Sequence, residues 1–183
     1  SGYTSTVAGG QYNVAGGLTA TARGGYSNTV SADYATVGGG YINTASGNRA
    51  TVGGGQNNTA SADYAAVGGG YSNSASGGTA TVGGGQSNTA SGYIATVGGG
   101  YNNNAGGFYA TVSGGLSNTA SGAAATVAGG INNTANGSYS FAAGNRAKAI
   151  HMGSFVWADA TNSDFSSVAN NTFNVRASGG YTL

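Results

Sequence analysis

The sequence repeats itself every 15 residues, and that period restricts the fold more than anything else in it. Val7, Val37, Val52, Val67, Val82, Val97, Val112 and Val127 share one phase, with Ala22 in the single gap. A second phase holds Asn13, Asn28, Asn43, Asn58, Asn73, Asn88, Asn103, Asn118 and Asn133 without exception. Gly pairs recur from Gly9-Gly10 and Gly24-Gly25 to Gly129-Gly130, and Thr precedes the Val except at Ala66. Ala50 to Tyr64 is one clear copy, and no insertion disturbs the phase as far as about Gly137. Self-similarity at a short fixed period signals an array in which each unit buries its apolar side chains only against its neighbours.

Helix is excluded. Three glycines per unit would each cost about 1 kcal/mol in a helix interior, and apolar residues do not recur at 3.6-residue spacing. Two short strands per unit fit instead: Ala-Thr-Val and Asn-Thr-Ala, each with its small residues or Asn inward and Thr outward. Gly-Gly-Gly and Ser-Gly are expected at the corners, where Gly supplies positive φ cheaply. Fifteen residues are too few for a helical crossover, so equivalent strands must stack in register. The expected fold is an all-β parallel β-solenoid with 15-residue coils. The Asn phase then becomes a structural ladder of amides bonded from coil to coil.

Each coil offers its interior one Val and a few Ala. At about 25 cal/mol per Å² this barely offsets the ordering entropy of a coil, so the array is expected to need partner chains. Tyr26, Tyr41, Gln56, Tyr71, Gln86 and Tyr101, followed by Leu116 and Ile131, share one phase and form one stripe. This stripe reads either as a seam between chains or as a surface for a ligand.

Composition excludes several other classes. Charged residues make up 5% of the chain and the net charge is +1, so no basic stripe tracks a phosphate backbone and no nucleic-acid partner is expected. No apolar run is long enough for a spanning helix, and no membrane insertion is expected. Without Cys there are no disulfides or thiolate metal sites. Glu is absent, and Asp33 and Asp63 stand two coils apart, roughly 10 Å at strand spacing, too far for an acid–base pair. His151 stands apart from any carboxylate cluster and reads as structural. The glycine triplets lack the Lys-Ser/Thr sequel of a phosphate loop, and no Asp follows them as in calcium rolls. The chain is therefore read as non-enzymatic, with no catalytic, metal or cofactor site. No signal peptide is visible, and Ser1 reads as the product of a cut, with the natural N-terminus expected upstream.

The array is assigned to residues 1–149. Residues 150–183, where Phe155, Trp157, Phe165 and Phe173 concentrate, are assigned to a C-terminal cap or transition segment, with Trp157 as a core residue of that cap and Thr172 to Ala177 as a strand. Ser140 to Ala149 keeps the phase but changes the motif to Ser-x-Ala-x-Gly-x-x-Ala-x-Ala. That motif resembles the head repeats of YadA-like trimeric autotransporter adhesins. The tail, Ser154 to Asp159 and Asn171 to Gly180, resembles segments that precede the intramolecular chaperone of phage tail fibres and related bacterial fibre proteins. The resemblance implies a left-handed β-roll, a parallel homotrimer, an extracellular place on a bacterial surface or a phage particle, and attachment to a matrix protein or glycan. The upstream Thr-Val-Gly-Gly-Gly strand departs from the adhesin pattern, and its period is about one residue longer.

Three functions follow for comparison. The first is an adhesin head or fibre shaft, with a phage tail-fibre segment for host recognition as its close variant. The second is an ice- or crystal-binding solenoid, suggested by the row Thr36, Thr51, Thr81, Thr96, Thr111 and Thr126. A single Thr per strand and the bulky Tyr residues argue against it, so no thermal hysteresis is expected. The third is a carbohydrate-active fibre enzyme, which the missing carboxylate pairs disfavour.

Overall fold

The computed structural model describes residues 3–180, and none of them is helical. The chain winds into two parallel sheets of 12 and 11 strands, and successive coils supply successive strands to each. In the first sheet Thr51–Val52 pairs with Ala66–Val67, which pairs with Thr81–Val82. In the second, Thr59–Ala60 pairs with Ser74–Ala75 and then Thr89–Ala90. The fold is thus the expected parallel β-solenoid. A third contact line, made of single bridges, links Gln11, Tyr26, Tyr41, Gln56 and their successors to Ile131.

Most strands of the repeat region are only two residues long, so each needs the coils above and below to hold it. Thr and Val suit such positions because their branched side chains pack on a pleated surface. Within one coil Ala50, Val52, Asn58 and Ala60 are fully buried, while Thr51 faces solvent and Thr59 is half-buried. The interior is therefore narrow, as the composition implies, and in the middle of the stack a single chain closes it.

The corners differ from the expectation. Gly55, the last of its triplet, does hold a positive φ of 85°, and a Cβ there would lie 2.2 Å from the Gly70 carbonyl oxygen. The glycine of Ser-Gly does not have a positive φ. Gly47 is there because a Cβ would sit 1.9 Å from the Ala62 carbonyl oxygen of the next coil. Left-handed φ falls instead on side-chain-bearing residues, such as Arg49 (58°) and Tyr64 (59°) at one corner and Asn57 (58°) and Ser72 (53°) at another. The left-handed conformation costs roughly 1–2 kcal/mol for an L-residue, and a hydrogen bond offsets part of it. Strand amides donate forward, as Thr51 N does to Ala65 O, whereas the left-handed residues donate back. Asn57 N bonds Tyr41 O, and Tyr64 N bonds Asn48 O, both at 2.9 Å.

Near the C-terminus the period changes. Val127 pairs with Ala142, but Gly129 pairs with Ala143, so one residue is lost between them. Ser140 to Ala142 therefore keeps the phase of the array, whereas Ala143 to Ala149 runs one residue ahead of it, because this coil is one residue shorter. The following strands, Phe155–Ala158, Phe165–Ser166 and Phe173–Arg176, continue the same two sheets. The strand expected within Thr172 to Ala177 is the last of these. Trp157 is not a core residue: Val156 and Ala158 point inward, and Trp157 is 38% exposed on the outer face. Alternation along the strand decides this, because Phe155 and Trp157 share a side.

Adjacent glycines give a sharp test. A Cβ on Gly84 meets nothing within 4 Å, whereas one on Gly85 lies 2.2 Å from the Gly100 carbonyl oxygen at φ +85°. Gly85→Ala is expected to destabilise the stack by on the order of 2–4 kcal/mol, and Gly84→Ala by less than about 0.5 kcal/mol. Urea unfolding followed by circular dichroism measures both.

Candidate functional site: the ladders of the solenoid

Each Asn of the ladder is a three-way clamp. Asn88 Nδ2 donates to Gly84 O in its own coil and to Gly100 O in the next, both at 2.9 Å. Its Oδ1 accepts the Asn103 backbone amide at 2.9 Å. The same set recurs at Asn28, Asn43, Asn58, Asn73, Asn103 and Asn118, all buried. Asn13, at the first coil, is only partly buried. The ladder ends at Asn133, whose Oδ1 accepts the Ala147 amide at 2.9 Å. These side chains hold backbone and offer nothing to a ligand.

The stripe of Tyr and Gln residues lies outside the coil, on the line of single bridges. Tyr26, Tyr41, Tyr71 and Tyr101 are 40–48% exposed. Only Tyr26 and Tyr41 stack, with centroids 5.3 Å apart, because Gln56 and Gln86 separate the others. Leu116 and Ile131 extend the line and are exposed to a similar degree.

A second outer row escaped the sequence reading. Tyr34, Arg49 and Tyr64 stand one above another at a left-handed corner. The Arg49 guanidinium lies 5.3 Å from both ring centroids, and its Nη1 donates to the Tyr64 hydroxyl at 2.6 Å. Farther along, Tyr93 and Phe108 stack at 5.1 Å. Tyr34, Arg49 and Tyr64 share one phase, and Tyr93 and Phe108 share the phase one position earlier, that of Asp33 and Asp63. Beside it, Asp33 and Asp63 do not face each other. Each accepts a backbone amide of the preceding coil, from Leu18 at 2.7 Å and Asn48 at 3.0 Å.

At the C-terminal end Phe141, Phe155 and Phe173 stack at 4.8 and 4.7 Å. Trp157 with Gly144, Asn145, Ala158, Asp159 and Ala160 lines an open cavity of ≈ 290 Å³. Below it Arg176 pairs with Asp159 at 2.9 Å and also donates to the carbonyl oxygens of Thr161 and Ser163. The Ser178 amide, foremost, and then Thr161 hold the Asp159 carboxyl well below the usual carboxylate range. His151 Nδ1 lies 2.8 Å from Ser167 Oγ. Ser167 Oγ already accepts the Ile150 and His151 amides at 3.1 and 3.2 Å, so its lone pairs are occupied. Its hydroxyl hydrogen is then directed at Nδ1. Among the described residues no group of three or more His, Cys, Asp or Glu is placed to hold a metal ion.

Two tests follow. Asn88→Leu leaves the Gly84 carbonyl and the Asn103 amide without partners, while Gly100 O still accepts the Gln86 amide. At about 1–3 kcal/mol per buried orphan, a loss of roughly 2–6 kcal/mol is expected. Gln86→Leu, on the outer face of the same coil, is expected to change stability by less than about 0.5 kcal/mol. Because the folded-state pKa of Asp159 is depressed, its contribution is present above the unfolded value near about 3.9 and is lost as pH falls below it. Trp157 fluorescence should report an unfolding midpoint that drops below about pH 4. In Asp159→Asn that drop should shrink, with a lower midpoint at neutral pH. Comparison with models of known protein families and with curated protein sequences gives no match for this chain.

Proposed function

We propose that the chain is the repeat region of an extracellular fibre, a left-handed β-roll that assembles as a parallel homotrimer and serves attachment to a surface. The observation that carries this reading is the outer stripe from Tyr26 to Ile131. It sets large, half-exposed side chains at one phase along the bridge line, on a stack whose interior is only Val, Ala and Asn. Three such stripes brought together around an axis would bury apolar area that one narrow coil lacks. They would also be in register automatically, since every chain has the same period. In this assembly the repeats form a shaft or head. Target contacts recur along it, so affinity comes from multivalency and not from one deep pocket. A matrix protein or a glycan fits that mode of binding.

Light scattering coupled to size exclusion tests the assembly. The expected mass is three times 17.4 kDa. Tyr71→Asp with Tyr101→Asp should shift it toward the single chain, whereas Thr51→Asp should leave it unchanged. A folded chain of monomer mass at micromolar concentration would overturn the proposal.

A further inference from the structure

The outer face of the second sheet differs from every other side of the solenoid. Its two-residue strands, such as Thr44–Ala45, are each followed by a Ser, so two outward residues stand at i and i+2. Thr29, Thr44 and Thr59 begin one row, and Ser31, Ser46 and Ser61 begin the other. From Thr29 to the coil of Thr134, every position in both rows carries a hydroxyl except Asn104, Gly106 and Asn136. Neither row contains a charged or aromatic residue over that span, and a charge reaches it only at its end, where Lys148 Nζ of the following coil donates to Thr134 Oγ1 at 3.3 Å. The Tyr stripe and the Tyr–Arg row lie around the two corners.

Spacing follows from strand geometry. Rows repeat at about 4.8 Å along the stack, and i to i+2 along a strand is about 6.6 Å. The first lies near the shorter oxygen–oxygen repeat on the prism faces of hexagonal ice. The register that produces the rows is fixed by backbone bonds, such as Thr59 N to Asn73 O at 2.9 Å and Ser61 N to Ala75 O at 3.0 Å. Independently of the spacing, most of the hydroxyls are unspent; the exceptions are Ser121, which donates to Asn136, and Thr134, which accepts from Lys148. Among the described residues no protein partner is found for the Thr29, Thr44, Thr59 or Thr89 side-chain oxygens, whereas the Asn side chains of the same coils are fully committed. Such hydroxyls must bond water. A rigid lattice of them holds that water in lattice order, and the absence of charge removes the ions whose hydration shells would disrupt it.

We propose that this face binds ice: its Thr and Ser hydroxyls order a water layer that merges with the crystal. The single Thr row of the first sheet, where Thr51 is followed outward by Gly53, lacks the second row and does not. The first-sheet row alone gives no reason to expect hysteresis; the second sheet supplies the paired rows. The proposal does not depend on trimer formation. It needs only that the second sheet remain on the outside, which a seam along the Tyr stripe allows.

The test uses the full chain in three forms: wild type, Thr89→Tyr on the proposed face, and Thr81→Tyr on the first sheet. A melting curve of each comes first, and if Thr89→Tyr fails to fold, Ser91→Lys takes its place. Thermal hysteresis is measured by nanolitre osmometry, and partition into a slowly grown ice hemisphere is measured against a non-binding protein. Wild type and Thr81→Tyr are expected to facet ice and enter it, and the second-sheet variant to lose most of both. Wild-type protein excluded from ice with no faceting overturns the proposal. So does equal loss in the two variants, which would place the activity off this face. Because mass by light scattering is read separately, failure here leaves the fibre reading standing, and a monomer that binds ice leaves this proposal standing.

Discussion

Everything in this molecule depends on coils staying in register. A strand of two residues has no stability of its own. It gains it only when the same two residues of the next coil lie directly above, and the next above those. The Asn side chain enforces that alignment. It ties the glycine corner of its own coil to that of the next and caps the following Asn amide, so each coil is fastened by side chain as well as by backbone. Removing one such amide orphans buried groups in two coils at once, which is why the position never varies from Asn13 to Asn133.

Register also explains the glycines and the corner residues. The last glycine of each triplet sits where a carbonyl of the next coil passes too close for any side chain, and its φ is left-handed. The glycine after Ser is required for the same close approach at an ordinary φ. The left-handed residues Tyr64 and Asn57 accept conformational cost because the reversed amide reaches back to the preceding coil. Strand amides bond forward and corner amides bond backward, so neighbouring coils are joined in both directions.

Once the interior is committed to Val, Ala and Asn, all chemical variety is pushed to the outside, where period converts each position into a row. A row multiplies a weak contact, whether it is a half-exposed Tyr meeting another chain or a hydroxyl meeting ordered water. The solenoid has several unlike sides: a bulky, half-exposed stripe on one and rows of hydroxyls on another. The C-terminal coils use a different economy of contacts, with a Phe stack, an outward Trp157 and the Arg176–Asp159 pair. The 18-residue step from Phe155 to Phe173 leaves a longer loop that this pair fastens.

The sequence by itself determined the period, the parallel stack, the inward Val and Asn phases, and the outward Tyr stripe. These follow from phase alone, because a residue that recurs at a fixed interval in a solenoid must occupy one place in the cross-section. The tertiary structure decided what phase cannot encode. It showed that Gly47 answers to the carbonyl of a neighbouring coil and not to its own φ, that Asp33 and Asp63 are spent on amides, and that the corner row through Arg49 is a cation–aromatic column. It placed the lost residue between Ala142 and Ala143, which moved the rest of the Ser-x-Ala motif out of phase, and it set Trp157 outside. It also put Thr and Ser of Thr-Ala-Ser side by side on one clear face. Each of these depends on where a corner turns and which neighbouring coil it meets, and contacts between residues 15 positions apart are made by the fold, not by the local sequence.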